Sequence, residues 1–221
     1  MKNSGPAAVQ MLGVCAIALS SCLLLSKAAP ARAEIIDRIL AVVGGVVITQ
    51  SDVTAASKLG LVAVEGAGEL TSAVLSRLVD RQLILAEVDR YAPPEPTTDA
   101  VDRERQRIRA RFESAEAYDA ALARSGIDEK HLRQTLRDDL RIRGYLEQRF
   151  TVPTPTEEEL SRYYRERIAT FTRNGETAPL EAVRAEVGRM LTEGRRQSLI
   201  DGWVGGLRRR APIELLSSPR P

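Results

Sequence analysis

Catalytic and metal sites are assembled from histidine, cysteine and converging carboxylates, and this chain of 221 residues offers few in useful company. His131 is the only histidine, with no Gly-x-Ser-x-Gly elbow to serve. Its place just after Asp128 suits an exposed residue in the first turn of a helix. The runs Asp138-Asp139 and Glu157-Glu158-Glu159 stand beside helix caps and arginines, where solvated charge accounts for them. Leu61-Val62-Ala63-Val64 followed by Gly66-x-Gly68 imitates a dinucleotide loop, but Thr71 stands at the third glycine position. No second strand delivers an acid about twenty residues on, so the segment reads as an interhelical loop. Arg103, Arg105, Arg107, Arg109 and Arg111 recur at every second residue, which spreads them around a helix. That spacing gives a solvated helix, or an arginine face against an acidic or extended partner, and no phosphate-tracking ridge. No cofactor or metal is expected.

Composition narrows the classes further. The chain is 43% hydrophobic and 28% charged, enough apolar material for a core and too much for wholesale disorder. Aromatics are only 4%, against a base-stacking platform, and a formal charge of +2 excludes a strongly basic polyanion binder. Nucleic acid is therefore not an expected partner.

The first thirty-three residues have the three parts of a secretory leader. Lys2 is the early charge, Met11 to Ser26 (MLGVCAIALSSCLLLS) is the apolar middle, and Ala31-Arg32-Ala33 is the small-x-small ending. Cleavage is expected between Ala33 and Glu34. The apolar run is shorter than the ~18–20 residues that span a bilayer, so stable membrane insertion is not expected. An alternative is lipoprotein processing at Leu19-Ser20-Ser21-Cys22, leaving Cys22 lipidated, although Leu23-Leu24-Leu25 continue the apolar core. Removing Lys2, Lys27 and Arg32 with the leader takes the formal charge from +2 to −1. Cys15 and Cys22, the only cysteines, leave too, so an exported chain cut at Ala33 rests on its core without a disulfide.

The rest must supply that core. In residues 37–50, two β-branched runs flank Gly44-Gly45, the signature of a tight hairpin, with apolar residues on both alternation sets. Both faces of the ribbon are thus expected to be covered. Ser51 is placed to cap a helix over 52–59. After a break at 60–68, residues 69–91 carry Leu70, Val74, Leu75, Leu78, Leu85 and Val88 at helical spacing, widened by Val79, Leu83 and Ile84. This predicts a largely buried helix at the centre of the core. Pro93-Pro94-Glu95-Pro96 is a stiff linker. A polar helix over 98–113 has a narrow stripe of Val101, Ile108 and Phe112. A short helix capped by Ser114 ends at Ser125-Gly126. The next begins at Asp128 and carries Leu132, Leu136, Leu140, Leu146 and Phe150. After a second linker at 151–155, Thr156 and Glu159 form a capping box for a helix to about Phe171. A turn over 172–178 contains Asn174-Gly175. A last long helix, 179–210, precedes a short closing strand in 211–216, and residues 217–221 are a tail. The fold class is mainly α, with a small β-sheet formed by the N-terminal hairpin and the C-terminal strand.

The order of these pieces resembles one family. Asp37 to Asp52 (DRILAVVGGVVITQSD) is similar to the mature N-terminus of the SurA-type periplasmic chaperones and their parvulin-bearing relatives. Leu75 to Val88 (LSRLVDRQLILAEV) resembles that family's first long helix, and Ser125-Gly126-Ile127 through Phe150 its later core helix. Leu180-Glu181-Ala182-Val183-Arg184, Trp203-Val204-x-x-Leu207 and Ala211-Pro212-Ile213-Glu214 resemble its returning helix and strand. The likeness spans residues 34–216 and implies a helical SurA-N-like domain: the hairpin 37–50, a helical body over 51–171, and a long helix with a strand over 179–216. It also implies that the strand pairs with the hairpin. Most relatives insert a parvulin prolyl-isomerase domain between the segments matching Phe171 and Leu180. That gap is far below the ~50 residues a domain needs, and the histidine pair of the parvulin site is missing.

The resemblance implies a non-enzymatic, ATP-independent periplasmic chaperone for unfolded polypeptides, with outer-membrane proteins in transit as clients. Tyr163, Tyr164, Phe171 and Met190 surround the turn left by the missing insertion. They are candidate client contacts, with plain core packing as the competing reading. Two alternatives stand beside the chaperone: a dedicated envelope assembly module for one partner, and a residual prolyl isomerase. The sequence specifies no oligomeric state.

Overall fold

The computed structural model describes residues 37–62 and 70–216. The expected leader with Cys22, Ala33 and Glu34, the Gly66-x-Gly68 motif and the tail lie outside the described residues.

The two ends of the described chain are joined by a three-stranded antiparallel sheet. Strands β1 (Ile39–Val43) and β2 (Val46–Thr49) form a hairpin, and β5 (Ile213–Leu215) lies on the other side of β1, giving the order β2-β1-β5. Gly44 (φ 57°) and Gly45 (φ 86°) make the turn; two successive positive φ values suit the twist of a two-residue loop and are costly with a Cβ. Val43 faces Ile213, Val42 faces Glu214 and Ala41 faces Leu215. Gly44 N–H donates to the Pro212 carbonyl (3.1 Å) and Leu216 N–H to the Leu40 carbonyl (3.0 Å), extending the ladder at both ends. Ala41, Val43 and Ile48 bury their side chains against Val79, Leu83 and Leu207.

The expectation that both faces of the hairpin are covered holds for β1 beyond its first residue and fails for the first half of β2. Leu40, Ala41 and Val43 are buried and Ile39 is 43% exposed, while on β2 Ile48 is buried and Val46 and Val47 are 46% and 43% exposed. The reason is topological: β5 flanks β1, whereas β2 is an edge strand with no partner on its outer side among the described residues.

Helix α1 (Gln50–Lys58) is capped by Thr49, not by Ser51 as expected. The Thr49 hydroxyl accepts from Asp52 N–H (3.4 Å) while the Asp52 carboxylate accepts from Thr49 N–H (2.9 Å), a capping box that starts the helix two residues early. The Ser51 hydroxyl bonds instead to the Asp37 carboxylate. Helix α2 (Leu70–Tyr91) is the centre of the molecule, packing against β1, β2, α1, the fifth helix and the last. Val74, Val79, Leu83, Ile84, Leu85 and Val88 are buried in several separate clusters, so its apolar surface is wider than one stripe.

Helix α3 spans Thr98–Arg109, shorter than expected. The chain then turns so that the Arg111 guanidinium donates to the Gly60 carbonyl (2.9 Å) just past the end of α1. One of the evenly spaced arginines is thus a strut between two helices. Others are paired as well: Arg105 with Asp102 and Glu129, Arg107 with Glu104. Helix α4 (Ala115–Ser125), capped by Ser114, ends at Gly126 (φ 83°). Helix α5 (Glu129–Arg149) starts at Asp128, whose carboxylate accepts from His131 N–H (2.7 Å). Leu59, Val101, Ile108, Tyr118, Leu132 and Leu136 make the core shared by α1, α3, α4 and α5.

Helix α6 (Glu157–Glu166) carries the expected Thr156–Glu159 capping box, but ends five residues before Phe171. A 3-10 turn, Ile168–Phe171, follows, and the tighter winding brings Phe171 in against Leu160 and Val187. Strands β3 (Thr172–Arg173) and β4 (Glu176–Thr177) form a small hairpin around Asn174 (φ 52°) and Gly175 (φ 82°). Helix α7 (Leu180–Arg210) has 31 residues, about 47 Å at 1.5 Å each. Its first part packs against α6; its last part packs against α2, where Arg208 pairs with Asp80. Trp203, the sole tryptophan, joins α7 to α5 through Tyr145 (6.0 Å) and Phe150 (5.3 Å).

Candidate functional site

The four residues singled out from sequence lie together at the junction of α6, α7 and the β3–β4 hairpin. Phe171 is 5% exposed and stacks on Tyr164 (5.4 Å between ring centres). The Tyr164 hydroxyl donates to the Ala178 carbonyl (2.7 Å), tying the helix to the end of the hairpin. Tyr163 and Met190 are half-buried against the same cluster, and the Arg167 guanidinium covers the Tyr163 ring at 4.8 Å. The packing interpretation describes Phe171 and Tyr164 well: one is inside and the other has its polar tip engaged. Residues 172–179 hold the short hairpin alone.

A second region has the shape and chemistry of a binding site. A cleft of about 440 Å³ opens beside the outer edge of β2. Val46, Val47 and Ile48 form one wall, Asp52, Ala55 and Ala56 of α1 another. Leu78, Arg81, Gln82 and Leu85 of α2 lie along it, and His131, Gln134, Thr135, Asp138 and Asp139 of α5 close it. Apolar groups from the strand and helices therefore meet a polar end built on α5.

That polar end is organised around Arg81. Its Nε donates to Asp139 (2.6 Å), its Nη2 donates to the Thr135 carbonyl (3.0 Å), and Asp138 lies at 3.9 Å. Asp138 is 9% exposed. Burial pushes its carboxyl above its ordinary pKa, against the pull of Arg81, Gln134 and Arg141. The Gln134 amide donates to it at 3.0 Å and Arg141 stands at 3.6 Å. His131 Nε2 is 3.4 Å from Asp52, linking α5 to the α1 capping box. The expectation that Asp138-Asp139 is solvated surface charge is thus wrong for Asp138, because α2 packs over it. A signal was present: Asp138, Ile142, Tyr145 and Arg149 recur at helical spacing, a second stripe of α5 beside Leu132, Leu136 and Leu140.

Among the described residues, no group of three His, Cys, Asp or Glu side chains is placed to hold a metal ion, and no helix is long and apolar enough to cross a membrane.

No protein-family model matches the chain, and no curated protein does. Among solved structures, it is similar to a chain from a study of the virulence factor PEB4 and the periplasmic protein Cj1289, two structurally related SurA-like chaperones of the human pathogen Campylobacter jejuni. The two share 14% identity at a TM-score of 0.48, over 82% of this chain and 100% of that one.

Proposed function

We infer that this protein is an ATP-independent chaperone of the periplasm, exported by its leader and cleaved between Ala33 and Glu34. It holds unfolded, extended polypeptides, with outer-membrane protein precursors as clients, and catalyses no prolyl isomerisation. The observation that carries this reading is the closure of the chain, Val42 against Glu214 and Val43 against Ile213. It joins the two segments on which the resemblance to SurA-type chaperones is strongest. The β3–β4 hairpin in place of an inserted domain supports the absence of isomerase chemistry.

The mechanism needs no nucleotide. Weak apolar contacts at about 25 cal/mol per Å² act together on one client and delay its aggregation, and the client leaves when its own folding buries those surfaces. The test is light scattering of a denatured porin diluted into buffer with the exported protein. Suppressed scattering at equimolar amounts is expected; unchanged aggregation overturns the reading. In a proline-limited refolding assay the slow phase should keep its uncatalysed time of tens of seconds. Intact mass is expected to place Glu34 at the N-terminus, and a lipidated Cys22 would replace that assignment.

A further inference from the structure

Hydrogen-bond alternation along the sheet identifies which backbone groups β2 leaves open. Gly44 in the turn and Leu40 of β1 bond to the β5 side. Val43 and Ala41 therefore face β2, and pair with Val46 and Ile48. Val47, opposite Val42, must turn its N–H and C=O away from β1, toward the cleft side. The next outward N–H, that of Thr49, is already taken by Asp52. Among the described residues the edge thus presents one residue with both backbone groups open, between exposed Val46 and the helix cap, beside the trough formed by α2, α1 and α5.

We propose that this trough is the place of a fourth strand, filled by an extended segment of client polypeptide that adds to β2 through Val47. This deepens the chaperone reading and rests on it. Side chains of the added strand alternate between the two faces of the sheet. On the face where Val46 and Ile48 already point, they would meet Leu78, Leu85 and Ile127. Charge selects among extended segments: the cleft carries Asp52, Asp138 and Asp139 against Arg81 on its wall and Arg141 behind Asp138 (3.6 Å), so carboxylates outnumber guanidiniums. A segment of alternating aliphatic or aromatic residues with one arginine or lysine is complementary; an acidic segment is not. Main-chain pairing supplies affinity with little demand on side-chain identity, as a holdase for many clients requires.

The test uses a fluorescent nonapeptide alternating valine and tyrosine with one arginine, titrated against the exported protein. N-methylation of alternate amides in one register should weaken binding about tenfold, while methylation in the other register leaves it intact. Val47→Pro removes the outward N–H at a position where an edge strand accepts the fixed φ of proline, so it should lose a similar factor with an unchanged circular dichroism spectrum and Trp203 emission. Replacing the peptide's arginine with glutamate should weaken binding further. Equal binding by both methylated peptides together with unaltered binding by V47P overturns the proposal, as does absence of any peptide binding. So does concentration-dependent dimerisation that V47P abolishes, which would assign the edge to a second copy of the chain. If V47P binds peptide normally while the wild type still suppresses porin aggregation, the edge assignment falls and the chaperone reading stands. If the wild type does neither, both fall.

Discussion

The arm built from α6 and the start of α7 and the cleft beside β2 treat apolar surface in opposite ways. In the arm, Leu160, Phe171 and Val187 close on one another, Tyr164 caps the end of the hairpin, and the Thr172 and Thr177 hydroxyls pair across β3 and β4 (2.9 Å). At the cleft, Val46 and Val47 stay exposed beside a backbone edge that has no partner among the described residues. The arm has the more aromatic sequence and the cleft the more available surface. An apolar residue marks a binding surface only where the fold leaves it, and its neighbouring main chain, without a partner.

The contrast can be broken most forcefully at Phe171. Phe171→Ala removes a buried ring from a small satellite cluster, and a loss of about 3–5 kcal/mol is expected there. The damage should be local: faster hydrogen exchange in α6 and the hairpin, with nonapeptide binding at β2 retained. Loss of peptide binding in that variant would mean the two regions are one site.

Gly126→Ala comes next. It demands φ of 83° from an L-residue and puts a Cβ 2.9 Å from the Ser51 Cβ. About 1–3 kcal/mol of destabilisation by urea titration is expected, and it should reach the cleft because α1 and α5 both border it. Weakened peptide binding would tie the shape of the trough to this joint, and unchanged binding would free it.

The smallest effect concerns the arm in acid. The hydrogen bond from Arg195, aided by Thr156 N–H, holds the Glu159 carboxyl at about 2, well below its ordinary 4.5. A folded-state value below the unfolded one means that this contribution is complete above pH about 4.5 and drains away as pH falls toward 2. Protection factors of the α6 amides, with the intrinsic pH dependence of exchange divided out, should therefore fall over that window, and Glu159→Gln should flatten the dependence. A loss of protection confined to helices around the cleft would show that the acid-sensitive joint lies there and not in the arm.

Much of this architecture could be read without coordinates, because local chemistry determines it. Gly44-Gly45 dictates a tight turn whatever surrounds it, Thr156 and Glu159 satisfy a helix start within four residues, Asp128 and Ser114 cap helix starts with their own side chains, and Gly126 ends α4 through its positive φ. Where two local solutions competed, reading failed: Thr49 and Ser51 are both able caps, and Asp37, fourteen residues away from Ser51, engages one of them. The elements of the chain were thus properties of sequence, since periodicity and capping act over a few residues, whereas the pairing of β5 with β1 was expected only through the family resemblance. Tertiary structure alone decided that β2 stays an edge, that α2 covers Asp138, and that Phe171 turns inward. Burial and strand order depend on what arrives from distant parts of the chain, and no short window contains that information.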